Sequence, residues 1–241
     1  MNWLRTILFT IAQIVTVIPW AFGSLLWSPL PLKIRYFLTM HWLNTCMFFS
    51  RWILGIKPNV IGKENIPAHS VIFLSKHQST WETFFYPTIV DRELCFVFKR
   101  EILFVPFFGW GIATMKMIHI NRENAMDSFE NIVKQGTAKL AQGRSIIMFP
   151  EGTRIPPGQQ GKYKSGGARL AVRTGADVVP IAVNSGRLWP KKPFVKTPGV
   201  VTVSFGKPIS SKGKQADQLM AEVQTWIEAE MRRISPQDYT A

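Results

Sequence analysis

No Asp or Glu occurs before Glu64, and from Thr6 to Leu32 no side chain carries a charge at all. This opening constrains the fold more than any other feature, because a stretch so apolar must be covered by protein or by lipid. Its greasiest part, Ile7 to Leu26, would be about 30 Å long as a helix, enough to cross the hydrocarbon core of a bilayer. Pro19 and Gly23 interrupt it, and Thr10, Gln13 and Thr16 add polarity. A second uncharged stretch, Tyr36 to Ser50, covers only about 22 Å as a helix, which is short for a span. Arg5, Lys33, Arg35, Arg51, Lys57 and Lys63 sit before, between and after the two stretches, so loop charge sets no clean crossing direction. The expectation is an N-terminal two-helix membrane anchor over residues 1–58, partly sunk in one leaflet. Trp3, Trp20, Trp27 and Trp42 would lie near the headgroups. One transmembrane helix is the alternative. A cleaved signal peptide ending near Ala21-Phe22-Gly23 fits less well, because the chain after it stays apolar and basic.

Lys and Arg number 29 against 15 Asp and Glu, a net charge of +14. Such an excess suits anionic lipid surfaces, polyanions or phosphate-bearing substrates. Cations embedded in a greasy segment favour the membrane interface. No helix-turn-helix, zinc-finger or aromatic RNA-binding signature supports nucleic acid as a partner. Cys46 and Cys95 are the only cysteines, have no metal-like spacing, and are expected as buried free thiols.

From residue 59 to 241 the pattern becomes one of short β-rich runs alternating with helical periodicity. "SVIFLS" (Ser70–Ser75), "LCFVFK" (Leu94–Lys99), "MIHI" (Met117–Ile120), "SIIMF" (Ser145–Phe149), "VVPIAV" (Val178–Val183) and "VVTVSF" (Val200–Phe205) read as strands. Several are continuously apolar, as strands covered on both faces are. Met126, Phe129, Ile132, Val133 and Leu140 mark one face of a helix ending near Gly143, and Leu219, Met220, Val223, Trp226 and Ile227 mark another. The expected class is α/β, with a mixed, substantially parallel sheet flanked by helices. "IPPGQQGKYKSGG" reads as a loop running into a helix near Ser165; its glycines fail the phosphate-loop spacing. His119, inside an apolar run, reads as a core histidine.

Two constellations carry chemistry. In "LSKHQSTWETFF" (Leu74–Phe85) a strand ends and a helix begins near Thr80, the place where parallel sheets hold ligands. Ser79 and Glu82 have capping-box spacing, which alone explains the acid. Glu82 could equally accept a hydrogen bond from one nitrogen of His77, leaving the other as a base. Ser79 as an acyl-accepting nucleophile is disfavoured by that capping duty and by the lack of a glycine-flanked elbow. In "FPEGTR" (Phe149–Arg154) a strand runs into a turn, and Arg154 suits bidentate recognition of a phosphate. Glu151 could orient a basic side chain or a substrate group. Lys99, Arg100 and Arg122 follow two further strands, so cations gather after three of them.

In this order the motifs resemble the glycerolipid acyltransferase family, and within it the bacterial members that acylate 1-acyl-sn-glycerol-3-phosphate (lysophosphatidic acid). "KHQSTWE" is similar to the family's histidine, four residues, aspartate block, with Glu82 standing where Asp is usual. "FKREI", "IHINRE" and "FPEGTR" resemble its next three blocks, and "YKSGGARLA" and "VVPIAV" the helix and strand that follow. The resemblance implies acyl transfer from acyl-CoA or acyl carrier protein to the sn-2 hydroxyl of lysophosphatidic acid, without a metal or other cofactor. It implies His77 as general base and Glu82 as its partner. Lys99, Arg100 and Arg154 would hold the phosphate, in a pocket shaped by Glu151, Gly152 and Thr153. It further implies membrane lipids as partners, and a bacterial inner membrane location with the catalytic domain facing the cytoplasm. Another acceptor, such as glycerol-3-phosphate, or a non-catalytic lipid-binding role are the alternatives.

Overall fold

A computed structural model of the chain describes residues 1–120 and 125–239. It opens with two long helices, α1 (Asn2–Leu26) and α2 (Leu32–Trp52). Contrary to expectation, α1 runs unbroken through Pro19 and Gly23. Gly23 receives the ring of Trp27, one turn on, which would lie 2.5 Å from a Cβ at that position. Helices draw most of their stability from packing, and α1 is packed near both ends. Near its start Phe9 is wholly buried and meets Trp189 edge-on, ring centroids 5.1 Å apart, while the Thr6 hydroxyl accepts from the Lys196 N–H. Near its end Trp20 stacks on Trp42 of α2, centroids 4.3 Å apart. Trp20 also packs on α4 (Phe108–Thr114), where a Cβ on Gly111 would come within 2.1 Å of the indole. The opposite face of α1 exposes Trp3, Leu4, Ile7, Leu8, Ile11 and Ile14, whereas the inner face buries Thr6 and Ser24. Since the inner face also buries Phe9, Trp20 and Ala21, α1 is apolar on both faces and lacks the polar outer face of an amphipathic helix in water. Among the described residues, α1 is the one helix long and apolar enough to cross a membrane.

Seven strands follow: β1 (Ile56–Ile61), β2 (Ile72–Ser75), β3 (Leu94–Lys99), β4 (Ile118–Ile120), β5 (Ser145–Met148), β6 (Val178–Val183) and β7 (Gly199–Phe205). They form one sheet in the order β1-β7-β6-β2-β5-β3-β4, every neighbouring pair parallel except β6 and β7. The sheet is mixed and mostly parallel, as the patterning predicts. Six of its strands lie within two residues of the runs read from the sequence. β1 is the seventh, and the expected boundary between residues 58 and 59 falls inside it. Its Lys57, Pro58 and Asn59 give no strand signal, and a proline is tolerated there because β1 is an edge strand.

Alternation along the strands feeds two cores. Phe73, Val179, Ile181, Val201 and Val203 face α3 (Trp81–Ile89) with Phe9 of α1. Ile72, Leu74, Val178 and Ala182 face α5 (Ala125–Ala141), α6 (Gly166–Thr174) and α7 (Ala216–Ile234). β2 and β6 lie between these layers and are buried at every position. His119 is a correction: it is exposed, because β4 is the other edge strand and turns that residue outward. Both cysteines are buried free thiols, as expected.

Candidate active site

β6, β2, β5, β3 and β4 run parallel, so their C-terminal ends share one edge of the sheet. His77 leaves β2 at that edge, the turn carrying Arg154 leaves adjacent β5, and Lys99 ends β3 beyond it. Strands lie about 4.8 Å apart, which puts β2 and β3 about 10 Å from one another.

His77 is held from four sides. Its N–H donates to Glu151 Oε2 at 2.9 Å, and its carbonyl accepts from the Ile155 N–H at 2.8 Å. Its ring lies on Phe149, centroids 3.9 Å apart, and its Nδ1 is 2.7 Å from Glu82 Oε2. The imidazole side chain keeps 16% of its surface open, against none for Glu82. Nε2 has no partner among the described residues. A hydrogen on Nδ1, donated to the carboxylate, leaves the Nε2 lone pair directed away from Glu82 and free to take a proton.

Glu82 does both things the sequence allowed. Its Oε1 accepts from the N–H groups of Gln78 (2.9 Å) and Ser79 (2.8 Å) and from the Ser185 hydroxyl, while its Oε2 meets the imidazole. Ser79 Oγ accepts from the Trp81 N–H at 3.1 Å, so only the Glu82 half of the expected capping box forms, and the residue that caps α3 is Thr80 rather than Ser79. The longer side chain in place of Asp therefore leaves no slack in the contact with His77. Ser79 is fully buried and its hydroxyl also donates to Ser185 Oγ, so it is not placed to receive an acyl group.

The second turn is built by its own chemistry. Gly152 donates to the Phe149 carbonyl at 3.0 Å and has φ +66, a conformation that favours glycine. Beyond it Thr153 is exposed and Arg154 half-buried, and the guanidinium has no partner among the described residues. Lys99 and Arg100 are exposed, likewise without ion-pair partners among the described residues. Arg122 lies outside the described residues. Glu151 meets a basic side chain, Lys76. Its own side chain is closed to solvent, bonded to the His77 backbone and paired with Lys76.

Lys76 is a residue the sequence reading missed. It is wholly buried, with Nζ 2.8 Å from Glu151 Oε1, 2.9 Å from Glu228 Oε1 on α7, and 3.1 Å from the Gln159 carbonyl. Tyr163, from the glycine-rich loop, donates its hydroxyl to the same Glu228 oxygen at 2.7 Å. Burial pushes the Glu151 carboxyl above its ordinary value against the opposing pull of Lys76, and it pushes the Tyr163 hydroxyl up as well. Glu228 had a legible signal, a carboxylate on the apolar face of a helix among Val223, Ile227 and Met231. Ser185 had none.

The acyltransferase family model matches residues 57–184. A 1-acyl-sn-glycerol-3-phosphate acyltransferase of Pseudomonas aeruginosa is 40% identical over 238 residues, covering 97% of this chain and 92% of that protein. The chain belongs to the acyltransferase family. A chloroplast 1-acyl-sn-glycerol-3-phosphate acyltransferase of Arabidopsis thaliana is 28% identical over 211 residues; this acyltransferase matches 57% of its length. Among solved structures, the 1-acyl-sn-glycerophosphate acyltransferase PlsC of Thermotoga maritima superposes with a TM-score of 0.82 at 23% identity, over 97% of this chain and 96% of that one. The fold of this acyltransferase is thus that of a solved enzyme. Its dyad, Arg154 turn and Lys99 lie within the matched family segment, while Ser185 and Glu228 lie outside it.

Proposed function

We propose that this acyltransferase moves a fatty acyl group from a thioester, acyl-CoA or acyl carrier protein, to the sn-2 hydroxyl of 1-acyl-sn-glycerol-3-phosphate, giving phosphatidic acid. The observation that carries this reading is the 2.7 Å contact of His77 Nδ1 with Glu82, which leaves Nε2 open at a sheet edge bearing cations without ion-pair partners among the described residues. Nε2 takes the proton of the acceptor hydroxyl as its oxygen attacks the thioester carbonyl. Glu82 stabilises the imidazolium that forms. When the tetrahedral intermediate collapses, the C–S bond breaks and the proton passes from Nε2 to the departing sulfur. Arg154, with Lys99 and Arg100, holds the acceptor's phosphate, and the spacing of their strands suits a glycerol phosphate whose hydroxyl lies at His77.

The exposed apolar face of α1 suits lipid, and the packing of α1 against the domain near both ends favours a helix lying along one leaflet over one that crosses. Acceptor and product are then taken from and returned to the same leaflet. The inner membrane, with the globular part on the cytoplasmic side, is the location that fits a cytoplasmic acyl donor. Release of free thiol from acyl-CoA, measured over a panel of acceptors, tests the reading. Lysophosphatidic acid should drive release well above glycerol-3-phosphate and above a lysolipid lacking the phosphomonoester. Equal rates with all three, or no release with any, would overturn it.

A further inference from the structure

Two carboxylates and one ammonium sit together in the interior directly behind His77. Taking three charges out of water costs several kcal/mol each before their mutual attraction is counted, and apolar side chains of similar size would hold a helix to a sheet as well. The inner face of α7 is otherwise built that way, from Leu219, Met220, Val223, Ile227 and Met231, and Glu228 is 4% exposed among them. The Lys76 ammonium donates to Glu228 and to the Gln159 carbonyl and forms an ion pair with Glu151 Oε1 at 2.8 Å. Lys76 is adjacent to His77 in the chain, and Glu151 accepts the His77 N–H with its other oxygen. The carboxylate of α7 is therefore the far end of an unbroken path, Glu228 to Lys76 to Glu151 to the peptide group from which the imidazole hangs.

We propose that Glu228 is a positioning residue for His77, acting through Lys76 and Glu151 to fix the backbone that aims Nε2. The inference rests on the reading of His77 as general base. It adds to that reading a residue from the C-terminal helix, beyond the segment that the family model matches. Without the Glu228 charge, Lys76 swings toward its remaining carboxylate and draws Glu151 off the His77 N–H. The Glu82 contact survives, but the ring is carried by a looser loop. Small displacements of a reacting group are costly, so the loss falls on turnover rather than on substrate binding.

The test is a set of variants assayed for acyl transfer, with circular dichroism and thermal melting as controls. Glu228→Gln keeps the shape, and Tyr163 retains an acceptor. Its kcat should fall by about tenfold, with the KM for both substrates within about twofold of wild type. In a Glu151→Gln background the same substitution should cost little further, because the path is already cut. Unchanged kcat in Glu228→Gln, a loss confined to KM, or a cost that simply adds to that of Glu151→Gln would overturn the proposal. Should Glu228→Gln fail to fold, Tyr163→Phe decides, since it removes one hydrogen bond from the same Glu228 oxygen. A loss of about two- to threefold in kcat at unchanged KM upholds the proposal, and wild-type kcat overturns it. His77→Ala is assayed alongside. Activity in that variant defeats the general-base reading itself, whereas inactivity there with wild-type kcat in Glu228→Gln defeats the Glu228 proposal alone.

Discussion

Glu82 carries more duties than any other side chain near the site, and each fixes its length. Three donors converge on Oε1 while the imidazole takes Oε2. Shortening it by one methylene in Glu82→Asp cannot keep both sets of contacts without moving the backbone, so kcat should drop by about tenfold although Asp is the family's usual residue. Wild-type turnover in that variant would show the loop to be more forgiving than its hydrogen bonds suggest. Arg154 has a separable task. Its replacement by Ala should raise the KM for lysophosphatidic acid and leave kcat nearly unchanged, provided the phosphate is held equally in ground and transition states. Glu151 links the site to stability. Burial raises its carboxyl in the folded chain, so the folded state binds that proton more tightly than the unfolded one. The resulting stability is full below the ordinary carboxylate range and is lost as pH rises through the raised folded value. Glu151→Gln should flatten that part of the melting-temperature profile against pH; an unchanged slope would assign the dependence to other groups.

At the scale of elements, the sheet was readable because its central strands are buried on both faces and so are apolar without a break. β2 and β6 show this best. Legibility failed at the edges. β1 carries Lys57, Pro58 and Asn59 because one of its sides meets no neighbour, and β4 turns His119 to solvent for the same reason. The pair of His77 and Glu82 was visible as two alternatives, capping or catalysis, that the two oxygens of one carboxylate make compatible. Lys76, Ser185 and Glu228 were not visible as a set. The groups their side chains meet are 65 to 152 residues away in the chain, and only tertiary packing brings them together. The N-terminal helix invites a prediction of its own. Phe9 is in the main core, so deleting the helix would damage the domain as well as membrane capture. Acidic substitutions on the outer face, Ile7→Asp with Ile14→Asp, should instead weaken binding to anionic vesicles while leaving the melting temperature within a few degrees. Undiminished vesicle binding would remove α1 from the lipid contact.

For the whole molecule, the charge distribution and the sheet topology point the same way. The cations after β3 and β5 and His77 after β2 share one edge, because parallel strands deliver their C-terminal ends together. A C-terminal helix reaches under that edge with Glu228, and an N-terminal helix lies along the domain with its apolar face outward. If α1 and Glu228 act as proposed, function draws on both ends of the chain, although the recognisable motifs occupy its middle. The central claim is that His77 Nε2 removes the proton of the acceptor hydroxyl. It is tested most directly by the rate of thiol release from acyl-CoA with lysophosphatidic acid in vesicles, for wild type and for His77→Ala. The expected result is a fall on the order of 10²–10⁴-fold with an unaltered circular dichroism spectrum. A folded His77→Ala variant that transfers acyl groups at the wild-type rate would contradict it.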